Sequence, residues 1–256
     1  MPQSRANLPF IRRLEAVSFR AWPASTVSYD GSWQIRLTAA HTSKRINCVV
    51  PLDPSDYGNL DIRFSKAAKR FEDYGRELII RQTSLMAPQI ETYLRDAGWE
   101  VFEEVSVMSA SLSMMDLPED ISHLPGHDIG RFIEARLAIA EEDPSLRAGY
   151  AEILSSIKPN FGLFVKEESE GIPLASIICV QDNDLAGLLS LAVANAQQRK
   201  GFGSEIVTSA LRWARISGAK SAWLQVERDN FSAIKLYEKF GFQEAYSYCY
   251  WKRSEA

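Results

Sequence analysis

Cysteine is scarce and scattered. Only Cys48, Cys179 and Cys249 occur in 256 residues, an odd count without a CxxC pair, which excludes a disulfide framework and a cysteine-based metal centre. Histidine is equally rare: His41, His123 and His127 show no ligand spacing, so no metal is expected. No apolar run approaches the roughly 20 residues that span a bilayer. The opening MPQSRANLPF carries no apolar stretch of a secretory signal, so the expectation is a cytoplasmic protein without a membrane partner. Positive charge is not in excess: 29 Lys and Arg face 33 Asp and Glu, a net charge of -4. A basic nucleic-acid-binding face is therefore not expected. What is present is ordinary globular material, 46% hydrophobic and 24% charged, which excludes wholesale disorder. The length fits one large domain or two of average size.

A weak internal repeat favours two. Leu94-Arg95-Asp96-Ala97-Gly98-Trp99-Glu100 matches Tyr237-Glu238-Lys239-Phe240-Gly241-Phe242-Gln243 at an offset of 143 residues. Each reads as an amphipathic helix that ends at a glycine before an aromatic opens a strand. The same offset places Gly218 on Gly75, and the apolar face Val207, Ala210, Leu211, Ala214 on Phe64, Ala67, Ala68, Phe71. It also sets AWLQV (222–226) on IIRQT (79–83) and LLSLAVA (188–194) on RINCVVP (45–51). Identity is low, so the repeat is one of fold. Domains are expected at 1–113 and 114–256.

The periodicities predict helices near 8–20, 59–74, 88–97, 129–141, 145–157, 203–217 and 231–240. Strands are expected near 25–30, 32–38, 45–50, 77–82, 99–112, 161–168, 172–182, 184–194, 220–227 and 242–252. Asp30-Gly31 signals a hairpin turn, Asp143 and Pro144 a helix start, and Glu-Ser-Glu-Gly a second turn. The segment DLPEDISHLPG (116–126) reads as a linker. The class is α/β (α+β): in each half a mixed, mostly antiparallel twisted sheet flanked by helices.

Two segments carry chemistry. The first runs from Leu191 through Val193 to Gln198-Arg199-Lys200-Gly201-Phe202-Gly203, from a strand into a helix. Glycines let backbone N–H groups approach an anion, the helix N-terminus offers unpaired donors, and Arg199 and Lys200 add charge. Taken alone, a tight strand-to-helix turn explains it equally well. The second is LQVERDNFSAIKLYEKFGF (224–242), which reads as strand, turn, helix, strand.

Together they resemble the GNAT acyltransferase superfamily. Its pattern is Gln/Arg-x-x-Gly-x-Gly/Ala after a strand, then Asn-x-x-Ala-x-x-Leu-Tyr-x-x-x-Gly-Phe about 30 residues on. Gln198, Gly201 and Gly203 match the first part, and Asn230, Ala233, Leu236, Tyr237, Gly241 and Phe242 the second. The resemblance implies direct transfer of an acetyl group from acetyl-CoA to a primary amine of a small molecule or peptide. It implies that backbone N–H groups across 198–203, including those of Arg199, Lys200 and Phe202, hold the pyrophosphate. Backbone groups of Leu191 and Val193 would pair with the pantetheine arm, and the Val193 amide would polarise the thioester carbonyl. Asn230 would bond the cofactor arm, and Tyr237 would protonate the leaving thiolate. Two plainer readings stand beside these: Tyr237 shares an apolar face with Ala233, Leu236 and Phe240, and Asn230 suits a helix N-cap.

The sequence departs from the pattern in two ways. The strand DLAGLLSL (184–191) has no acid at its middle, which leaves the base unassigned, with Asp184 at the far end and Glu227 on the next strand as alternatives. That departure also keeps open a non-catalytic acyl-CoA sensor. The acidic junction Glu141-Glu142-Asp143-Pro144 fits either an amine-attracting rim or, more simply, a helix start. The first half has lost the motif: at the repeat offset Gln198, Gly201, Gly203, Asn230 and Tyr237 fall on Ser55, Gly58, Leu60, Ala87 and Leu94. It reads as a degenerate copy. Its segment TSKRINCVVPL (42–52), after WQIRLT (33–38), resembles the N-terminal part of two-domain bacterial GNAT proteins; Arg36, Arg45 and Asn47 there serve either a cleft between the halves or strand-end hydrogen bonds within the domain. Cys179 and Cys249 are expected as packed thiols.

Overall fold

A computed structural model describes residues 7–119, 123–168 and 171–254 of the chain. Residues 120–122 of the expected linker and 169–170 of the expected Glu-Ser-Glu-Gly turn lie outside the described residues. The chain divides into two compact units, one reaching to Ser106 and resuming at Tyr246, the other Val107–Ala245. No described helix is long and apolar enough to cross a membrane.

The first unit contains helix α1 (Leu8–Ala21), strands β1 (Thr26–Asp30), β2 (Trp33–Leu37) and β3 (Cys48–Pro51), and helix α2 (Leu60–Asp73). Then come β4 (Ile80–Gln82), α3 (Pro88–Asp96) and most of β5 (Trp99–Ser111). The second unit contains α4 (Ile129–Ala140), α5 (Arg147–Ser156), β6 (Asn160–Glu167), β7 (Pro173–Asp182), β8 (Leu185–Val193), α6 (Phe202–Ile216), β9 (Ser221–Glu227) and α7 (Phe231–Glu238). The last strand, β10 (Gln243–Arg253), begins in the second unit and ends in the first. Strand order in the first unit is β1-β2-β3-β4-β10-β5, and in the second β5-β9-β8-β7-β6. The β3–β4 and β8–β9 pairs are parallel, while β1–β2, β2–β3, β4–β10, β6–β7 and β7–β8 are antiparallel. This is the mixed, mostly antiparallel α/β architecture expected.

The repeat offset joins like elements: α2 with α6, β4 with β9, α3 with α7, β5 with β10. The glycines at the matched helix ends all take the left-handed conformation, Gly75 and Gly218 at φ 65° and 98°, Gly98 and Gly241 at 73° and 80°, a helix stop that other residues adopt only with strain. In the second unit, Ile206, Val207, Ala210, Leu211 and Ala214 of α6 pack on Ala175, Ile177 and Cys179 of β7 and Ala186 and Leu188 of β8. In the first unit, Phe64 of α2 stacks on Tyr93 of α3 at 4.8 Å within a core that includes Trp33 and Trp99.

Several expected boundaries shift. Residues 44–46 form a 3-10 turn and β3 begins only at Cys48. Asn47 is the reason: its side chain accepts from Thr38 N and donates to the carbonyls of His41 and Ser43, holding the chain in a turn. The hairpin loop is Gly31-Ser32, because Asp30 pairs with Trp33; Gly31 takes φ 57°. The helix expected from 145 opens with a 3-10 turn, Pro144–Leu146. Strand β4 is shorter than expected. The segment read as a linker packs onto the second unit: Leu117 joins its core, and Arg212 holds the Glu119 carbonyl at 2.6 Å.

Arg36 and Asn47 spend their polar groups inside the first unit. Arg36 donates to the carbonyls of Arg45 and Trp22 and to Gln34, and burial brings its pKa down to about 10. Arg45 lies 5.2 Å from the Trp22 ring centroid. Deeper still, Arg81 pairs with Glu15 at 2.6 Å, each side chain 1% exposed. Tyr246 donates to the same Glu15 oxygen, and Tyr248 lies 3.8 Å beneath the guanidinium.

Candidate active site

The site grows from a strand pair that stops early. β8 and β9 run parallel from Leu185↔Ser221 to Leu188↔Leu224 and are not paired beyond. The cause lies in β8. Opposite it, β7 advances two residues from Ser176 to Ile178, while β8 needs three, from Leu189 to Ala192. The extra residue is a β-bulge, and Ser190 within it stands at φ 55°, a conformation that costs a non-glycine residue about 1–2 kcal/mol. Past the bulge the β9-facing edge of β8 has no ladder partner, which leaves a gap in the pairing of the two strands.

Backbone parity fixes what faces that gap. Ala194 N donates to Leu174 O of the β7 side. Successive residues on a strand direct their amides to opposite neighbours, so Leu191 and Val193 point theirs away from β7, into the gap. Their side chains pack on the second-unit core.

The strand leads into α6. Arg199 and Gly201 both take left-handed conformations, φ 61° and 91°, which coil the loop tightly before the helix. The first helical bond runs from Glu205 N to Gly201 O at 3.0 Å, so the amides of Phe202, Gly203 and Ser204 have no intrahelical acceptor. Gly203 faces both the strand and α7: a Cβ there would lie 3.4 Å from Val193 Cγ2 and from Leu236 Cδ2, at ordinary contact distance. Gln198, Arg199 and Lys200 are exposed. Gln198 bonds Asn195, and Lys200 bonds Gln197 at 2.9 Å. Glu205, in the first turn of α6, accepts from Lys166 and pairs with His123, both at 2.7 Å, and the Lys166 bond above all holds its carboxyl below the usual range. These partners offset an acid at the end of α6 where an anion is favoured.

Tyr237 on α7 is 6% exposed and packs edge-on against Phe242 at 5.9 Å. Its hydroxyl has no hydrogen-bond partner among the described residues, and burial pushes its pKa above the ordinary 10. Tyr237 is thus a core residue of α7 that keeps an unpaired phenol hydroxyl among the described residues. Asn230 caps α7, accepting from Ala233 N at 3.1 Å, through its carbonyl oxygen; its NH2 group is not used in that cap. Glu227 is exposed, and Asp184 lies before β8, about 20 Å of strand from the bulge.

One cluster escaped the sequence reading. Arg136 of α4 donates from Nε to Ser190 Oγ at 3.0 Å and from Nη2 to Glu142 at 2.8 Å. Tyr150 of α5 donates to the other Glu142 oxygen at 2.8 Å. Asp143 alone of the acidic junction caps the following turn, through Ser145 N at 2.8 Å; Glu142 folds back instead. The partners lie 54 and 8 residues apart, so no local pattern announces them. In the first unit, the matching positions Ala87 and Leu94 are fully buried apolar residues. There the left-handed residue before α2 is Asn59, at φ 55°, one place later than Gly58, the partner of Gly201.

Comparison with known proteins bears on the family and the fold. The family described as Probable histone acetyltransferase Rv0428c C-terminal matches residues 9–251. The uncharacterized N-acetyltransferase YobR of Bacillus subtilis is 24% identical over 237 residues, 91% of this chain and 94% of that protein. The crystal structure of a GCN5-related N-acetyltransferase from Kribbella flavida superposes with a TM-score of 0.71 at 14% identity, covering 99% of this chain and 98% of that one. A tandem GNAT protein from the clavulanic acid biosynthesis pathway superposes with a TM-score of 0.64 at 10% identity, covering 95% and 88%.

Proposed function

Since the chain belongs to the family of the probable histone acetyltransferase Rv0428c C-terminal, within the GNAT superfamily, and is an acyl-CoA-dependent N-acetyltransferase, we propose that its second unit transfers an acetyl group from acetyl-CoA directly to a primary amine of a small molecule or peptide. Residues 114–256 are read as the catalytic domain, residues 1–113 as a degenerate copy, and the cytoplasm as its setting.

The observation that carries the reading is the gap between β8 and β9, with the Leu191 and Val193 amides directed into it and the free amides of α6 at its mouth. These groups fit the donor: an extended amide-bearing arm takes strand-type hydrogen bonds, and a pyrophosphate takes N–H groups at a helix end. When bound, acetyl-CoA supplies the activated carbonyl and a thiolate leaving group. The chain's own groups do the rest. Amides across 198–203 grip phosphate oxygens, and Arg199 and Lys200 add charge at the rim. The Val193 amide stabilises charge developing on the carbonyl oxygen, a donor role worth about 3 kcal/mol. The NH2 group of Asn230 faces the cofactor arm while its oxygen caps α7. Tyr237 gives its proton to the leaving sulfur, and burial keeps it protonated for that task.

Thiol release from acetyl-CoA, measured against a panel of amines, tests the reading. Tyr237→Phe should lower kcat by about 10²-fold or more while acetyl-CoA affinity is kept. Undiminished kcat rejects the acid role. Tight CoA binding without turnover of any amine identifies a sensor instead.

A further inference from the structure

The bulge beside the gap carries a hydroxyl held by a part-buried network of side chains. Ser190 is half-buried, and Arg136 has only donors to offer it, so Ser190 Oγ accepts from Arg136 Nε. One oxygen lone pair remains for a further N–H. Arg136 is in turn anchored by Glu142 and, through it, by Tyr150. Its third nitrogen, Nη1, is buried without a partner among the described residues, a costly condition for a charged donor.

Among the described residues, no carboxylate has a hydrogen bond to Ser190; its side-chain partner is Arg136, and the acids on the elements around β8 are engaged elsewhere or exposed. On α4, Arg131 pairs with Glu167 and Glu134 with Arg147. After α4, Glu142 is engaged by Arg136 and Tyr150, and Glu141 bonds Asn195 at 3.2 Å. On α6, Glu205 is held by Lys166 and His123, and Arg212 and Arg215 hold carbonyls of residues 115–119. On β7 the only acid, Asp182, lies opposite Leu185, at the far end. On β9, past its last pair with β8, Gln225 is neutral and Glu227 is exposed. On α7, Tyr237 is the proton donor of the proposed reaction. The group that touches Ser190 is thus a guanidinium with donors only, already paired with Glu142, and it offers an incoming ammonium no acceptor.

We propose that Ser190, positioned by Arg136, is the acceptor subsite, and that it takes an α-amine in its free-base form with no side chain acting as base. The inference rests on the acetyltransferase reading above. The proton balance closes without a base. The amine nitrogen forms its bond to the carbonyl carbon as the C–S bond breaks, Tyr237 protonates the sulfur, and the proton shed by the nitrogen restores the phenol. Neutral amine and thioester become amide and thiol. An ammonium would bring one proton too many. An α-amine meets both conditions of the site. Its pKa near 8 leaves about a quarter of it free at pH 7.5, against about one part in a thousand of a lysine ε-amine. It also carries a carbonyl oxygen on the adjacent carbon, the acceptor that Arg136 Nη1 lacks; a lysine ε-amine has none there.

The test uses the full chain and two peptides, one with a free N-terminus and no lysine, the other N-terminally blocked with a single lysine. Thiol release is followed from pH 6.5 to 10.5, and peptide binding to the CoA-loaded protein is measured by calorimetry. We expect kcat/KM to rise with pH and level off at each peptide's own amine pKa, with the α-amine peptide used at least a hundredfold better at pH 7.5 and bound more tightly at pH 9 than at pH 6.5. Ser190→Ala and Arg136→Gln should each raise the acceptor KM and Kd about threefold to tenfold, the loss of one hydrogen bond, leave the acetyl-CoA KM in place, and combine without adding. A plateau at one common pH for both peptides reveals an enzyme base and overturns the inference. So does preference for the lysine peptide, or an acceptor KM unmoved by both substitutions. No thiol release with either peptide at any pH, CoA being bound, overturns this inference; the proposed transfer to an amine falls with it only when the amine panel is silent as well.

Discussion

At the scale of the residue, Gly203 separates size from conformation. Its φ is not in the left-handed range, and a methyl group there would make ordinary contacts with Val193 and Leu236 at 3.4 Å. Gly203→Ala should therefore fold and bind acetyl-CoA within a few-fold of the parent, whereas Gly203→Leu must displace Val193 or Leu236 and should weaken binding by about tenfold or more, read by calorimetry. Gly201 differs: open space surrounds it, but φ 91° strains any side chain. Tyr237 has its own signature. Burial raises its pKa above the ordinary 10, so under the proposed acid role any loss of kcat below that pH belongs to another group. The places of Gly201 and Gly203 at the start of α6, of Asn230 as the α7 cap and of Tyr237 on its buried face were legible because each sits in a short local motif. Arg136 and Ser190 were not, because their hydrogen bond spans 54 residues and neither residue type is unusual where it stands.

At the scale of the element, the decisive feature is a strand with a bulge. Sequence periodicity predicts β8 and β9 as strands but not the early end of their pairing, since a bulge in LLSLAV changes no residue type that alternation counts. The same limit applies to residues 44–46, where the Asn47 side chain competes with the ladder. Helices fared better, because apolar faces at i, i+3, i+4 and glycine stops are local signals. α7 shows how a short element is held. It has eight residues, too few to persist by propensity, and depends on its Asn230 cap and on Tyr237 packing on Phe242. Asn230→Ala should cost about 1 kcal/mol of stability, and Asn230→Asp should restore most of it, measured by denaturant unfolding of the second unit. If Asn230 also serves the cofactor arm, Asn230→Asp should recover stability but not acetyl-CoA affinity, since Asp lacks the NH2 donor.

At the scale of the whole molecule, the chain holds two folds of one kind with unlike interiors. The first unit buries Glu15 and Arg81 as a pair. Glu15→Gln leaves Arg81 unpaired and should destabilise that unit by about 3–5 kcal/mol, while joint replacement by Leu and Met should cost less than either single change, read as shifts of the unfolding midpoint. The offset of 143 residues that reveals the repeat also shows what one copy lost, since Leu60, Ala87 and Leu94 stand where Gly203, Asn230 and Tyr237 stand in the other. A net charge of -4 does not oppose a polyanionic donor when backbone amides supply the grip. The central claim, a single donor site in the second unit, is tested most directly by calorimetric titration of the full chain with acetyl-CoA. The account predicts one molecule bound per chain, with binding abolished or weakened at least tenfold by Gly203→Leu and untouched by Leu60→Ala. Two molecules per chain, or binding that survives the first substitution and fails with the second, would contradict it.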